Sequence, residues 1–162
     1  MTLIKEIRSK ETKAIFPKIF APGISNNLLK NKIQFISHSE DGINSFLYDP
    51  EQQVQFFLYE DKYLPTLQFI RTYPSIRIPK VKVDQGAVPY ILNGADIYTQ
   101  GIISVLGEFN ENSIVLIVNP QDSVLALGKT ILNSTELLTS KIKGILNIHY
   151  LGDRIWNEKN GN

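Results

Sequence analysis

His149 and Asp153 stand four residues apart and are the pair in this chain that could move a proton, an imidazole beside a carboxylate. Catalysis would need further groups converging on them. No serine, cysteine or lysine nucleophile can be tied to the pair from sequence, and no GxSxG elbow is present. A buried or half-buried histidine on the last strand is the simpler reading of His149. Gly128-Lys129-Thr130 shares its residues with the end of a phosphate-binding P-loop, but Ser123 occupies the place of that motif's first glycine. The flanks, SVLALGKTIL, read as strand, so Gly128 reads as a strand glycine at a bulge or bend. The paired carboxylates Glu40-Asp41 and Glu60-Asp61 are adjacent, would face opposite sides of a strand, and read as solvated. Cysteine is absent and His38 and His149 are the only histidines, which argues against a thiolate or histidine-rich metal site. His38, in the polar run SHSEDG, reads as a loop residue. No catalytic residue, metal or cofactor is expected.

Binding chemistry is better supported, in Val83 to Gly101 (VDQGAVPYILNGADIYTQG). Asp84 is an N-cap type, able to accept from the free amides just after it. Gly86 and Ala87 keep the first turn bare, so another backbone or a phosphate could approach closely. Val88, Ile91 and Leu92 would face inward, and Gly94 sits where a left-handed residue ends a helix. Pro89 is compatible only with a first-turn position.

The elements that must position these residues follow from pattern. Ile43 to Tyr48 and Val54 to Tyr59 read as strands joined by an Asp49-Pro50 turn. Pro65 is expected to open a helix over Thr66 to Thr72. Leu3, Ile4 and Ile7 suit a strand or a helix, and ISNNLLKN at 24–31 reads as helix. Thr72 to Pro79, with prolines at 74 and 79, reads as an extended linker. Beyond it, strands are expected at Lys80 to Val83, Asp96 to Tyr98, Ile114 to Val118, Val124 to Ile131 and Ile145 to Leu151. Pro120-Gln121-Asp122 reads as a turn. A helix is expected from an Asn133 cap with Glu136, through a last turn holding Lys141 and Lys143, to Gly144 as its stop. The aromatics of the two early strands, with Tyr63, Tyr73, Tyr150 and Trp156, read mainly as packing groups. The alternative is a protein-binding patch.

Composition sets the class. Of 162 residues, 43% are hydrophobic and 20% charged, enough for a folded core. The N-terminus lacks the apolar run of a signal peptide, and the longest uniform apolar run is Ile114 to Val118, so a cytosolic protein is expected. The net charge of +1 hides segregation. Residues 1–32 carry seven Lys/Arg, 39–61 carry six acids and no base, and 83–128 carry acids alone. Phosphate contacts would therefore come from local patches, Arg71, Arg77, Lys80 and Lys82 on one side and Arg154 on the other.

VDQGAVPYILNGAD, followed by TQGI, resembles the opening of a PUA domain, an RNA-binding fold. YLPTLQFIRTYP at 63–74 and NIHYLGDRIW at 147–156 flank it as in the family of the malignant T-cell-amplified sequence protein and translation machinery-associated protein twenty. The resemblance implies an α+β chain of two small domains. Residues 1–75 would form an N-terminal α/β domain packed on a mostly β PUA pseudo-barrel at 76–159. It implies a non-enzymatic translation factor that binds ribosomal RNA on the small ribosomal subunit and the acceptor end of a tRNA. Such a factor would act in reinitiation and recycling with a density-regulated-protein-type partner. An RNA-binding accessory of a tRNA- or rRNA-modifying enzyme, or a protein-binding adaptor, are the alternatives. Matching positions are Gly86, Ala87, Gly94, Ala95 and Gly101 in the opening block and Tyr150, Asp153 and Trp156 in the closing one. Lys80, Lys82 and Arg154 are expected to surround the Gly86-Ala87 turn. Gln100 departs from the proline common before the glycine matched by Gly101.

Overall fold

A computed structural model describes residues 2–6, 9–32, 35–39 and 45–158. These fall into two compact units, one within Met1–Arg77 and Asn157–Asn162 and the other spanning Ile78–Trp156. The first unit runs β1 (Thr2–Glu6), α1 (Ser9–Ile15), α2 (Asn26–Lys32), β2 (Phe35–Ser39), β3 (Ser45–Tyr48), β4 (Val54–Tyr59), β5 (Lys62–Pro65) and α3 (Leu67–Thr72). Its strands form one antiparallel sheet in chain order.

The strand, turn and α2 readings of this unit stand. Asp49 accepts from the Gln53 amide at 2.8 Å, and the turn there joins β3 to β4. Two details differ, and a third is not described. Pro65 ends β5 and does not open the helix; Thr66 is the cap, its hydroxyl accepting from the Phe69 amide at 3.2 Å. His38 lies within β2, paired with Leu3 of β1, because backbone pairing with β1 carries the strand on through the polar Ser37–Ser39 run. The Glu40-Asp41 pair lies outside the described residues.

Packing explains the aromatics. Tyr48, Phe46, Phe56 and Phe69 are fully buried, and the Phe56 and Phe69 rings lie 4.7 Å apart. Burial of each such side chain contributes roughly 1.5–3 kcal/mol.

The second unit contains β6 (Lys80–Val83), α4 (Val88–Ile91), β7 (Ile97–Tyr98), β8 (Ile102–Leu106), β9 (Ile114–Val118), β10 (Val124–Thr130), α5 (Glu136–Thr139) and β11 (Lys143–Tyr150). Its six-stranded sheet has the order β7-β11-β10-β9-β6-β8. All pairs are antiparallel except β6 with β9, which is parallel. Val81, Val83, Ile91, Val115, Ile117, Leu137 and Ile145 belong to its core cluster. The β10–β11 register shifts between Leu127 and Gly128, so Gly128 marks a bulge as its sequence context indicated.

The expected helix from Asn133 to Gly144 is overturned in its second half. The Asn133 side chain does accept from the Glu136 amide at 2.9 Å, but α5 stops at Thr139. Lys143 and Gly144 belong to β11. A Cβ on Gly144 would meet Leu137 Cδ2 at 2.6 Å and Thr99 Cγ2 at 3.1 Å. That glycine is therefore there for close packing within a strand, not as a helix stop. Strand β8 carries no clear alternation of burial, which is why the pattern did not reveal it.

Candidate nucleic-acid interface

Asp84 follows β6 in an extended conformation, and its Oδ1 accepts from the Ala87 amide at 2.9 Å. One turn of 3-10 helix, Gln85–Ala87, leads into α4 with Pro89 in the first turn. Ile91 turns into the core and Val88 is half-buried, but Leu92 faces outward, since a four-residue helix has one inward position per turn. Gly94 then adopts φ +92°, a left-handed conformation that L side chains rarely take.

Gly94 also makes room for Tyr150. A Cβ there would lie 3.2 Å from Tyr150 Cε1. On the other side, a Cβ on Gly101 would lie 3.4 Å from the Ala87 Cβ, so the two turns touch across small residues.

These close approaches leave a pocket of about 290 Å³ lined by Ala87, Tyr90, Ile91, Ala95, Asp96, Ile97, Tyr98 and Gly101. Nearly all of its lining is carbon. Tyr90 and Tyr98 stand 70% and 55% exposed, unusually open for such large side chains. Lys143 lies beside it, with Nζ 3.1 Å from Asp96 Oδ2 and 6.0 Å from the centre of the Tyr98 ring. The hydrogen bond to Asp96, with its negative charge, raises the Lys143 ammonium above the ordinary lysine range.

One side chain from β11 ties the pocket's loops together. The Asn147 amide donates to the carbonyls of Ile91 and Ala95, both at 3.0 Å, while its backbone N–H donates to Asp96 Oδ1 at 2.9 Å.

The residues singled out from sequence divide into groups. Ala87, Ala95 and Gly101 meet in the pocket, and Gly94 and Tyr150 support it from behind. Gly86 is exposed on the turn outside it. The cations Lys80, Lys82 and Arg154 are not among its lining residues; Lys80 and Arg154 are exposed, and Lys82 pairs with Asp122 at 3.0 Å. Asp153 turns its carboxylate inward, onto His149 and the amides of Tyr150 and Trp156. Tyr90, Tyr98, Asp96 and Lys143 are the residues that sequence reasoning passed over. Two tyrosines bracketing a block of glycines and alanines were the available signal for the first pair.

The sequence model of the PUA domain matches residues 79–149, the span that builds this pocket. A PUA domain from Aeropyrum pernix has the same fold over 96% of this chain and 90% of its own, with a TM-score of 0.77 at 18% identity. Translation machinery-associated protein 20 of Eremothecium gossypii is 31% identical, over 93% of this chain and 86% of its own length. The chain belongs to the translation machinery-associated protein 20 family. The Saccharomyces cerevisiae relative of that name is 30% identical over 88% of this chain and 81% of its own. A malignant T-cell-amplified sequence 1 homolog of Dictyostelium discoideum is 30% identical over 91% and 82%. The Eremothecium and Saccharomyces relatives are named for translation, none of the three is named for an enzymatic reaction, and a PUA domain is an RNA-binding module. The fold is mixed α+β and mostly β, as the resemblance implied. Among the described residues no helix is long and apolar enough to cross a membrane, and no group of three or more His, Asp or Glu could hold a metal ion.

Proposed function

We propose that this chain is a non-enzymatic, cytoplasmic translation factor that binds RNA of the small ribosomal subunit and the acceptor end of a tRNA. It would act in reinitiation and recycling with a density-regulated-protein-type partner. The pocket built on Ala87, Ala95 and Gly101, rimmed by Tyr90 and Tyr98, carries the reading. Unpaired bases need an aromatic or apolar platform and a nearby cation for the backbone, and this pocket offers both. Domain limits of 1–75 and 76–159 belong to the same proposal, with the second domain holding RNA. Lys80, Lys82 and Arg154 supply the flanking phosphate contacts.

Retention on purified small subunits across a salt series tests this, with and without the partner. Binding should weaken as salt rises from about 50 to 200 mM, because phosphate contacts release counterions. The triple variant Lys80→Glu, Lys82→Glu, Arg154→Glu should bind less and show a shallower salt slope. Parent-like binding by it would remove those three cations from the site. Absence of binding to subunits or rRNA under every condition would defeat the whole reading. The carbon-rich lining of the pocket favours a second reading, an adaptor that holds an apolar protein segment there. Partner binding that is lost in Tyr90→Ala without any measurable RNA affinity would select it.

A further inference from the structure

The two lysines of β6 differ in what they face. Val81 and Val83 have no exposed surface and belong to the core, so alternation puts Lys80 and Lys82 together on the other face of the strand. Lys80 is exposed. Lys82 is held by Asp122, whose Oδ1 lies 3.0 Å from the lysine Nζ. The carboxylate is the more open partner, with 67% of its side chain exposed against 29% for the lysine. A polyanion arriving from solvent therefore meets the carboxylate before the ammonium.

A pair between two freely moving surface side chains contributes little, because both must be ordered to make it. Here the backbone under one partner is fixed beforehand. Asp122 sits in the turn between β9 and β10, where the Asn119 carboxamide oxygen accepts from the Gln121 and Ser123 amides, both at 2.9 Å. The Asn119 amide donates to the Ser123 carbonyl at 2.9 Å, and the Asp122 amide to the Asn119 carbonyl at 3.0 Å. That closure holds Asp122 at φ +66°, a left-handed conformation that aspartate and asparagine tolerate better than most L residues. We infer that Asp122 is a built-in competitor for RNA, a tethered anion that occupies Lys82 where a phosphate would otherwise bind. The inference rests on the reading above that Lys82 lies on the path of the RNA backbone. A phosphate reaches Lys82 only by exchange with the carboxylate, which stays close by and recaptures the ammonium when the RNA lets go. Asp122 thus weakens binding and favours release.

Asp122→Asn removes the charge and keeps a residue suited to the left-handed position, so the turn should survive. Fluorescence anisotropy with a labelled single-stranded RNA oligonucleotide reads the effect. At low salt Asp122→Asn should bind about fivefold more tightly than the parent, the most that one exposed ion pair contributes. Asp122→Gly, which also accepts a positive φ, should gain as much and guards against an effect of the new amide. The gain should vanish when Lys82→Gln is combined with Asp122→Asn. Glu111→Gln makes the same change in net charge at an exposed acid elsewhere and should shift affinity by less than about twofold. Circular dichroism and melting of each variant check that the fold is retained. Unchanged or weaker binding by both folded Asp122 variants would overturn the inference. So would a gain that persists without Lys82, or one that Glu111→Gln matches. Lys82→Gln alone then separates the two claims. Weaker binding by it keeps Lys82 on the RNA path, and only the competitor role falls; parent-like binding takes Lys82 off that path as well.

Discussion

His149 has no exposed surface, and its Nδ1 lies 2.8 Å from Oδ2 of Asp153, four residues along the chain. The same carboxylate accepts from the amides of Tyr150 at 2.9 Å and Trp156 at 2.8 Å. One side chain therefore gathers the turn that follows β11. The two residues whose spacing suggested proton transfer form a structural clasp.

Loss of that clasp should be costly. Burial alone would push the Asp153 carboxyl upward, but the hydrogen bond and charge of His149, with the two amides, hold it below the usual carboxylate range. Its ionised form is thus favoured by folding. That contribution is fully present above the unfolded value, about 3.9, and fades as pH falls through the lower folded value. Acid titration of stability should show an added decline below about pH 4 in the parent that Asp153→Ala lacks. At neutral pH, Asp153→Ala should lower unfolding free energy by about 3 kcal/mol, since it strands buried donors. Urea denaturation measures both.

Two glycines separate steric crowding from backbone strain. A Cβ on Gly128 would lie 2.5 Å from Ile145 Cγ2 and 3.1 Å from the Leu146 carbonyl oxygen, with no flexible end to yield. Gly152 has φ +88° and nothing within 4 Å of an added Cβ. Gly128→Ala should cost about 2–3 kcal/mol by overpacking, and Gly152→Ala about 1 kcal/mol from its left-handed backbone alone. Paired thermal melts decide it, and equal losses would refute the distinction.

Tyr90→Ala and Tyr98→Ala remove the pocket's rim. Both side chains are largely exposed, so stability should change by less than about 0.5 kcal/mol. Affinity for a single-stranded RNA should fall by about tenfold in each variant, the weight of one lost base stack. Fluorescence anisotropy with a labelled oligonucleotide gives the comparison. Unchanged affinity in both would place the bases elsewhere.

Sequence reading reached the parts of this unit that depend on local chemistry. Asp84 as a cap, Pro89 in a first turn, left-handed Gly94 and a bulge at Gly128 each follow from what one residue type does to its own neighbours. It missed what depends on distant partners. Gly144 looks like a helix stop until Leu137 and Thr99 are seen pressed against it. Lys143 looks like a dipole partner until Asp96, far back in the chain, is found 3.1 Å away. The proposed cations show the same limit, since Lys82 is engaged by Asp122 across a turn that carries no sign of it in sequence.

Asn147→Ala should loosen the pocket without touching its lining. It removes two side-chain donors from the Ile91 and Ala95 carbonyls. A stability loss of about 1–2 kcal/mol is expected from those bonds. Hydrogen exchange should also quicken at Gly94 and Ala95, whose amides close the turn onto the Ile91 and Tyr90 carbonyls. Unaltered exchange there would show that the loops hold themselves.

The position of β11 also bears on the timing of synthesis. It is the last strand in chain order, yet it lies between β7 and β10 in the sheet and carries Asn147. A nascent chain that has exposed β6 to β10 therefore has the pocket's wall residues but neither the strand that joins β7 to the sheet nor the amide that fixes its loops. Pairing over some fifty residues of separation comes late in folding, after its entropy of closure can be met. The pocket is thus completed only when β11 has taken its place in the sheet.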